Sequence, residues 1–306
     1  MALAAYNDYI YTSIDSGNTW TQHVELGKHR FISIAGSANN SVLVAGTNFD
    51  YLYISRDYGN TWTNTTVNPV TPGKYGNYQS VAVSADGSIV YAIDSGSTGL
   101  HKSSDGGQTW TQFNVSYPSS SQIWWNYPEF IVTSANGSFI AVTNTEVPTP
   151  YFSNDGGVTW YTTNSTFLFP GLRIAASADG RHLALVTALI TGGNYGNGTI
   201  YASQDGGVTW TYSNTLPFAQ YVPIAISSDA SLYVTAIFYP DYSYTTYKGS
   251  IYTSSNQGAT WTEQNAGYKQ WIGISSSSNG SVLLAGALKD YMYVSVNSGV
   301  NWTKSF

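Results

Sequence analysis

The chain has 306 residues and a net charge of −6, with only 9% charged residues but 15% aromatic residues. Its 11 lysines and arginines form no basic run, which argues against a nucleic-acid partner. No apolar stretch nears the roughly 18 residues of a membrane-spanning helix, and the absence of cysteine excludes disulfides and thiol chemistry. Abundant tyrosine, tryptophan, threonine and valine favour β structure.

An eight-residue pattern, Ser-x-Asp-x-Gly-x-Thr-Trp, recurs seven times along the chain, and we call its copies the box turns. They occupy residues 13–20, 55–62, 103–110, 153–160, 203–210, 254–261 and 295–302. Successive tryptophans are 41 to 51 residues apart, a length that fits one four-stranded propeller blade. The repeat therefore predicts an all-β fold, a seven-bladed β-propeller of four-stranded antiparallel blades that forms a single domain over residues 1–306.

Each position of a box turn has a structural reason. The side-chain oxygen at the third position can accept hydrogen bonds from the backbone N–H groups that follow it. The glycine two residues later can adopt φ > 0, and the tryptophan can pack against the neighbouring blade. We therefore interpret the third-position residues as structural, namely Asp15, Asp57, Asp105, Asp155, Asp205, Asn256 and Asn297.

The order of elements between box turns also repeats. A short apolar strand precedes a tight polar turn, a second apolar strand follows, and a third strand enters the next box turn. Asp86-Gly87 and Asn279-Gly280 are typical of the polar turns. The first strands are predicted at residues 31–36, 80–84, 130–134, 173–177, 223–227 and 272–275.

The first repeat lacks a first strand. Residues 1–6 align with a second strand, because Ala2–Ala5 matches Val42–Ala45. Either the first blade has three strands, or the sequence is a piece of a longer chain, or another molecule supplies the strand. We expect a three-stranded first blade.

The box turns resemble those of the Asp-box, or BNR-repeat, β-propellers, and the resemblance covers essentially the whole chain. It implies a propeller but no single function, since the family includes sialidases, xyloglucan-cleaving glycosidases, sortilin-type receptors and photosystem II assembly factors. A sialidase would need a cluster of arginines, whereas only Arg30 and Arg173 approach the expected binding face. An assembly factor with a basic patch fits this acidic, arginine-poor chain poorly.

In such a propeller the box turns and the first-to-second-strand turns lie at one end of each sheet, which we call the box end. The longer connections lie at the opposite end, the loop end, where function is expected. Aromatic residues are frequent in the loop-end connections and suit carbohydrate stacking or a peptide partner. The predicted ligand-binding residues are Tyr75, Tyr78, Trp124, Trp125, Tyr127, Tyr195, Tyr221, Tyr242, Tyr244, Tyr268 and Trp271.

A glycoside hydrolase would instead need two carboxylates that face a cleft. The loop end offers Asp50, Asp94, Glu129, Glu146, Asp241 and Asp290, with Glu25 and Glu263 on fourth strands. In this alternative Asp241, Glu129 and Asp94 are the catalytic candidates. The four histidines, His23, His29, His101 and His182, show no metal-ligand spacing, so neither a metal nor another cofactor is expected.

The sequence thus favours a non-enzymatic extracellular recognition or adhesion module that binds a glycan or a protein through an aromatic-rich loop end. The alternative is a glycoside hydrolase that acts through loop-end carboxylates. Asn-x-Ser/Thr sequons favour a secreted glycoprotein. They begin at Asn39, Asn64, Asn114, Asn136, Asn164, Asn197, Asn279 and Asn301.

Overall fold

A computed structural model gives the fold of most of the chain. It describes residues 1–65, 67, 76–95, 99–113, 129–143, 149–163, 165, 167, 171–191, 194–216, 223–240 and 247–305. Contacts between residues divide the chain into two compact units. Unit 1 comprises residues 1–142 and 151–161, and unit 2 comprises residues 143–150 and 162–306.

Strands and one short 3-10 turn make up the regular structure of the described residues. The first sixteen strands are β1 (Ala2–Ala4), β2 (Tyr6–Asp8), β3 (Ile10–Thr12), β4 (Thr21–Gln22), β5 (His29–Gly36), β6 (Leu43–Asp50), β7 (Leu52–Ser55), β8 (Thr63–Thr65), β9 (Gly76–Val83), β10 (Val90–Asp94), β11 (Gly99–Ser103), β12 (Thr111–Phe113), β13 (Phe130–Thr133), β14 (Ile140–Thr143), β15 (Tyr151–Ser153) and β16 (Tyr161–Thr162). The 3-10 turn spans Val24–Leu26.

The remaining strands continue the same order of elements. They are β17 (Gly171–Ala176), β18 (Leu183–Thr191), β19 (Asn194–Ser203), β20 (Thr211–Leu216), β21 (Ile224–Ile226), β22 (Tyr233–Pro240), β23 (Tyr247–Ser254), β24 (Thr262–Gln264), β25 (Trp271–Ser276), β26 (Leu283–Ala287), β27 (Met292–Ser295) and β28 (Thr303–Lys304). The prediction of an all-β chain is confirmed, and each predicted first strand overlaps an observed strand.

The strands form six antiparallel sheets. Four sheets have four strands each, in the simple orders β13 to β16, β17 to β20, β21 to β24 and β25 to β28. The remaining sheet has nine strands and contains two further four-strand sets, β5 to β8 and β9 to β12. The two sets are joined where β6 pairs with β9, and β2 pairs with β5 at the edge of the sheet. The sheet nearest the start of the chain has three strands, in the order β1-β3-β4, as expected from the missing first strand.

The box turns are closed by their own side chains. In the third copy, the Ser103 hydroxyl donates to Asp105 Oδ1 at 2.7 Å and accepts from the Gly107 N–H at 2.7 Å. Thr109 donates its backbone N–H to Asp105 Oδ1 at 2.9 Å and its hydroxyl to Oδ2 at 2.6 Å. The indole N–H of Trp110 donates to the Gly107 carbonyl at 3.1 Å. One aspartate therefore satisfies several turn donors that would otherwise face water or remain unpaired.

The glycine of the box turn is needed for two separate reasons. Gly107 has φ +85°, which is unfavourable for any residue with a Cβ atom. A Cβ on Gly107 would also collide with the end of the Ile54 side chain on β7, in the neighbouring four-strand set. The preceding residue, Gly106, is left-handed as well, but a Cβ there would meet its nearest neighbour, the Gly87 carbonyl oxygen, only at an ordinary contact distance of 3.4 Å.

Box tryptophans pack neighbouring strand sets together, as predicted. Trp110 packs against the cluster that contains Val44 and Leu52 of the preceding set. Trp160 stacks on Phe113 with ring centroids 6.5 Å apart, again reaching the preceding set. Both indoles therefore pack against the preceding strand set while their N–H groups are satisfied within their own turns.

A second turn at the box end repeats the same chemistry in the first-to-second-strand hairpins. Ser84 donates its hydroxyl to Asp86 Oδ1 at 2.6 Å and accepts from the Ile89 N–H at 2.9 Å. The Asp-Gly and Asn-Gly dipeptides predict these turns, and the Ser-x-Asx unit around them is a further signal in the sequence. Six serines donate in this way, Ser37, Ser84, Ser134, Ser177, Ser227 and Ser277.

Candidate functional site

Three hairpins at the loop end share the sequence Asp-Tyr-x-Tyr, and we call them the aspartate–tyrosine hairpins. They comprise residues 7–11, 49–53 and 289–293, and each leads into the third strand of its sheet. The residue before each aspartate has a left-handed backbone, with φ +57° at Asn7, +61° at Phe49 and +54° at Lys289. This conformation is rare for a residue as bulky as phenylalanine and marks a constrained turn.

The first hairpin holds its aspartate between a lysine and a tyrosine. Lys28 Nζ lies 3.0 Å from Asp8 Oδ1, and the Tyr11 hydroxyl donates to Asp8 Oδ2 at 3.0 Å. Burial, followed by this hydrogen bond to Asp8, raises the pKa of Tyr11 to about 12. The hydrogen bond to Asp8 also raises the pKa of Lys28. Both partners of Asp8 therefore stay protonated at neutral pH.

The second hairpin pairs its aspartate with a histidine. His29 Nδ1 makes a short contact with Asp50 Oδ2, and the Tyr51 N–H donates to Asp50 Oδ1 at 2.9 Å. His29 Nε2 lies 2.7 Å from the Leu26 carbonyl oxygen, which can only accept, so Nε2 donates to it. The Tyr53 hydroxyl lies 3.0 Å from the same nitrogen. The ring is thus fixed between the 3-10 turn and the hairpin.

The third hairpin belongs to unit 2 and repeats this arrangement with a lysine. Lys269 Nζ lies 2.9 Å from Asp290 Oδ2, and the Tyr293 hydroxyl donates to the same oxygen at 3.2 Å. The hydrogen bond from Lys269 is the main cause that lowers the pKa of Asp290. Lys304 Nζ lies 3.0 Å from the centroid of the Tyr291 ring, a cation–π contact. The cation precedes the aspartate by 21 residues, as His29 precedes Asp50.

Large apolar side chains are exposed beside these ion pairs. In unit 1, Tyr6 is 56% exposed and Phe49 is 67% exposed. Tyr6 lies directly opposite the exposed Arg30 where β2 pairs with β5. In unit 2, Tyr268 is 65% exposed and Tyr291 is 46% exposed. We call Tyr6, Arg30 and Phe49 the unit 1 patch, and Tyr268 and Tyr291 the unit 2 patch.

Two predicted binding residues are buried in the structure rather than exposed in loop-end connections. Tyr78 is fully buried in the core of unit 1, and its hydroxyl accepts from the Val67 N–H at 3.3 Å. Trp271 is fully buried in unit 2, and its indole N–H donates to the Gly249 carbonyl at 3.2 Å. Both belong to first strands that begin earlier than predicted, and their side chains pack between neighbouring strand sets.

The remaining predicted aromatics divide between the surface and the undescribed part of the chain. Tyr268 is exposed in the unit 2 patch. Tyr195 lies in β19 rather than in a loop. Seven positions lie outside the described residues, Tyr75, Trp124, Trp125, Tyr127, Tyr221, Tyr242 and Tyr244.

The described carboxylates at the loop end interact with other groups of the protein. Asp94 is buried, and its Oδ1 accepts from the Asn77 N–H at 2.9 Å. Glu129 is half-buried just before β13. Glu263 Oε1 accepts from the Ser250 hydroxyl at 2.6 Å. Asp241 and Glu146 lie outside the described residues.

Neither a metal centre nor a membrane helix is found in the part of the chain that the structure describes. No three side chains of His, Cys, Asp or Glu come together there as metal ligands. None of the described segments is a helix long and apolar enough to cross a bilayer.

Sequence reasoning missed the patch residues Tyr6, Phe49 and Tyr291. A signal for them existed, because Asp-Tyr-x-Tyr occurs at residues 8–11, 50–53 and 290–293. The alternating tyrosines in this motif indicate a strand and do not by themselves indicate an exposed turn. No sequence motif marks the partners of these aspartates, because Lys28, His29 and Lys269 lie about 20 residues away along the chain.

No protein-family model matches the chain, and no curated protein matches its sequence. Solved structures do match. Hydrazine synthase from Kuenenia stuttgartiensis is similar with a TM-score of 0.68 at 11% identity, over 87% of this chain and 76% of that one. YCF48 bound to D1 peptide matches with a TM-score of 0.62 at 14% identity, over 98% of this chain and 86% of that one.

A third solved structure contains much more than the matching region. The GH74 xyloglucanase from Xanthomonas campestris matches with a TM-score of 0.66 at 15% identity, and the match covers 96% of this chain but only 49% of the enzyme. At such low identity these similarities show a β-propeller fold and nothing more specific.

Proposed function

We propose that this protein is a non-enzymatic binding module that recognises a glycan or a protein through its loop end. The observation that carries the proposal is the exposure of Tyr6, Phe49, Tyr268 and Tyr291 beside ion-paired aspartates. Exposed aromatic rings on constrained turns lose little conformational entropy on binding, which makes them efficient contact residues. Their charged neighbours are already paired and can fix orientation.

The proposal includes a specific architecture. The seven box turns and the propeller-type neighbours support a seven-bladed Asp-box propeller that forms one domain over residues 1–306. The three-stranded sheet then serves as the first blade. In this architecture the box turns hold the sheets together, and binding occurs at the opposite end.

An extracellular location is part of the same proposal. Asn64 and Asn301 are exposed sequon asparagines, so both are accessible to glycosylation. Treatment of the protein secreted from a eukaryotic host with a glycosidase that removes N-linked glycans tests this point. A mass decrease at these two sites supports the location, and unmodified asparagines at both sites contradict it.

Glycoside hydrolysis is the rival function, because a GH74 xyloglucanase shares the fold. It would act through Asp241, Glu129 or Asp94. The burial of Asp94 and its bond to the Asn77 N–H argue against its acting as a catalytic acid or base. The pairing of Asp290 with Lys269, which lowers the pKa of that carboxyl, likewise disfavours a proton donor.

A glycan array, a displayed peptide library and a panel of chromogenic glycosides together test the proposal. We expect a saturable glycan or peptide ligand, no turnover, and loss of binding in Phe49→Ser or Tyr268→Ser variants that melt like the parent. Turnover that disappears in Asp241→Asn or Glu129→Gln would establish the hydrolase instead. A protein that binds no glycan or peptide through these residues contradicts the proposal.

A further inference from the structure

The three-stranded sheet of unit 1 has an open edge along β1. Every other strand set contains a first strand that pairs with its second strand, as β5 pairs with β6 and β9 with β10. In the first sheet β1 takes the place of a second strand, and among the described strands only β3 pairs with it. One full side of β1 is therefore available for main-chain hydrogen bonds.

The hydrogen-bond pattern shows which groups face that open side. Met1 and Ser13 exchange bonds, with the Met1 amino group 2.6 Å from the Ser13 carbonyl and the Ser13 N–H 3.0 Å from the Met1 carbonyl. The Ala5 N–H donates to the Tyr9 carbonyl at 3.3 Å. Bonded pairs alternate in an antiparallel ladder, so residues 1, 3 and 5 bond to β3 while Ala2 and Ala4 point their N–H and C=O groups away from it.

Apolar side chains dominate the described surroundings of this edge, and the charged groups there include the Met1 amino group at the start of β1 and Arg30 on β5. Ala2 and Ala4 are partly exposed, and their small side chains leave room for another backbone. Ala4 and Ile34 both pack on the cluster around Ile10 and Phe31, which places β5 beside β1. Ile32, in the same stretch of β5, is 37% exposed.

The rest of the molecule indicates what kind of segment fits there. First strands elsewhere lie against one another, β5 against β9 and β9 against β13. Four of these six strands carry no charge, namely Gly76–Val83, Phe130–Thr133, Ile224–Ile226 and Trp271–Ser276, whereas β5 and β17 contain Arg30 and Arg173. The three-stranded sheet offers no such strand to β5.

We propose that the edge of β1 is a docking site for an extended, uncharged segment of a second polypeptide, which adds as an antiparallel strand. The segment bonds through its main chain to Ala2 and Ala4 and places apolar side chains against Ile32 and Ile34. This mode is β-strand addition. Its contacts are Ala2, Ala4, Ile32 and Ile34, none of which belongs to the loop-end patches. The proposed function and this inference can therefore be refuted separately.

Backbone amide exchange of the full chain, followed by NMR, tests the docking site. The probe is a synthetic peptide with the sequence of residues 271–277 and a two-lysine tail for solubility. In the free protein, we expect the Ala2 and Ala4 amides to exchange at least tenfold faster than the Leu3 amide. Saturating peptide should slow Ala2 and Ala4 at least tenfold and leave Leu3 nearly unchanged.

Two controls separate strand addition from non-specific adhesion. The same peptide with N-methyl groups on the amides that face β1 should bind at least about tenfold more weakly, since each lost hydrogen bond is worth roughly 1 kcal/mol. Ala4→Pro removes a donor that β3 does not use and should weaken binding similarly, whereas Ala4→Ser should bind like the parent.

Two results would overturn the proposal. One is Ala2 and Ala4 amides that are already as protected as Leu3 in the free protein, which would mean that the chain covers its own edge. The other is unchanged exchange at both alanines with saturating peptide, or equal binding of the N-methylated peptide. If Ala4→Pro does not fold, the N-methylated peptide decides the question.

Discussion

Aspartates at the two ends of the sheets are used in opposite ways. At the box end, Asp105 accepts from Ser103 and Thr109, all within one eight-residue turn. At the loop end, Asp290 is held by Lys269, which lies 21 residues away on another segment. The first kind closes a hairpin locally, and the second ties separate connections together. The same side chain thus serves local folding at one end and the arrangement of a surface at the other.

This difference has consequences for stability. A box turn has several hydrogen bonds and a closely packed glycine, so changes there should act on the whole fold. The loop-end ion pair of Lys269 and Asp290 is partly exposed, and ion pairs at the surface contribute little to the free energy of unfolding. Changes at the loop end should therefore alter binding more than stability.

The largest expected effect is at the box glycine. Gly107→Ala introduces a Cβ at φ +85° and against Ile54, and we expect it to lower the free energy of unfolding by about 2–4 kcal/mol. Urea denaturation measures this loss. Gly106→Ser is the matched control, because the left-handed position it occupies holds serine at Ser16 and Ser298 in other boxes. A loss as large in the control would show that the close approach to Ile54 is unimportant.

Replacement of a buried histidine is expected to raise the free energy of unfolding instead of lowering it. His101 is fully buried on β11, and neither ring nitrogen has a hydrogen-bond partner among the described residues. His101→Leu removes two unsatisfied polar atoms and should raise the free energy of unfolding by about 1–3 kcal/mol. A destabilised variant would mean that His101 has a bonding partner in solution.

The same residue predicts a pH dependence near neutrality. Burial lowers the pKa of His101 in the folded protein. The pKa of histidine in the unfolded chain is about 6.5, so just below this pH the unfolded chain binds a proton at His101 and the folded protein does not. Stability should therefore fall as the pH drops below about 6.5. Chemical denaturation between pH 7 and 5 should show this slope in the parent and a smaller slope in His101→Leu.

The box aspartates predict a second, more acidic transition. Hydrogen bonds, first from the threonine hydroxyl, lower the pKa of Asp15 and of Asp155 to about 2. Unfolded aspartate titrates near 3.9, so this stability is complete above about pH 4 and is lost as the pH falls toward 2. Asp155→Asn should reduce the acid dependence and fold like the boxes that use Asn256 and Asn297. An unchanged acid midpoint would contradict the role given to these carboxylates.

The smallest expected effect is at the loop-end ion pair. Lys269→Met should lower the free energy of unfolding by less than about 1 kcal/mol, because the pair is partly exposed. It should also return the pKa of Asp290 upward toward its ordinary value, which a carboxylate NMR titration measures. A larger loss of stability would show that this hairpin is part of the scaffold, and so would remove the contrast between the two ends.

The parts of the fold that are encoded locally could be predicted from the sequence. A box turn such as Ser103–Trp110 contains all of its bonding partners, so its pattern predicts its structure. The three-stranded first sheet followed from counting strands. The burial of Tyr78 and Trp271 could not be predicted in this way, because it depends on which side of a first strand faces a neighbouring strand set. Residues that are distant in the sequence determine that side.

The sequence predicted which end of the sheets carries the candidate site but not the contacts within it. Its end of the molecule followed from the position of the box turns, and Tyr268 was identified correctly as a residue of a loop-end connection. The bonds of Asp8 to Lys28 and of Asp50 to His29 join separate connections, so no local pattern marks them. The exposed ring of Phe49 depends on a left-handed backbone at a residue type that rarely adopts it.

Binding and stability measured side by side test the central claim most directly. The claim is that the loop end binds while the box end holds the fold. A double variant, Tyr268→Ser with Tyr291→Ser, is compared with Asp155→Asn by thermal melting and by the glycan and peptide screens. The account predicts that the double variant melts like the parent and loses its ligand, while Asp155→Asn melts lower and keeps it. Retained binding in the double variant, or lost binding in a folded Asp155→Asn, would contradict the account.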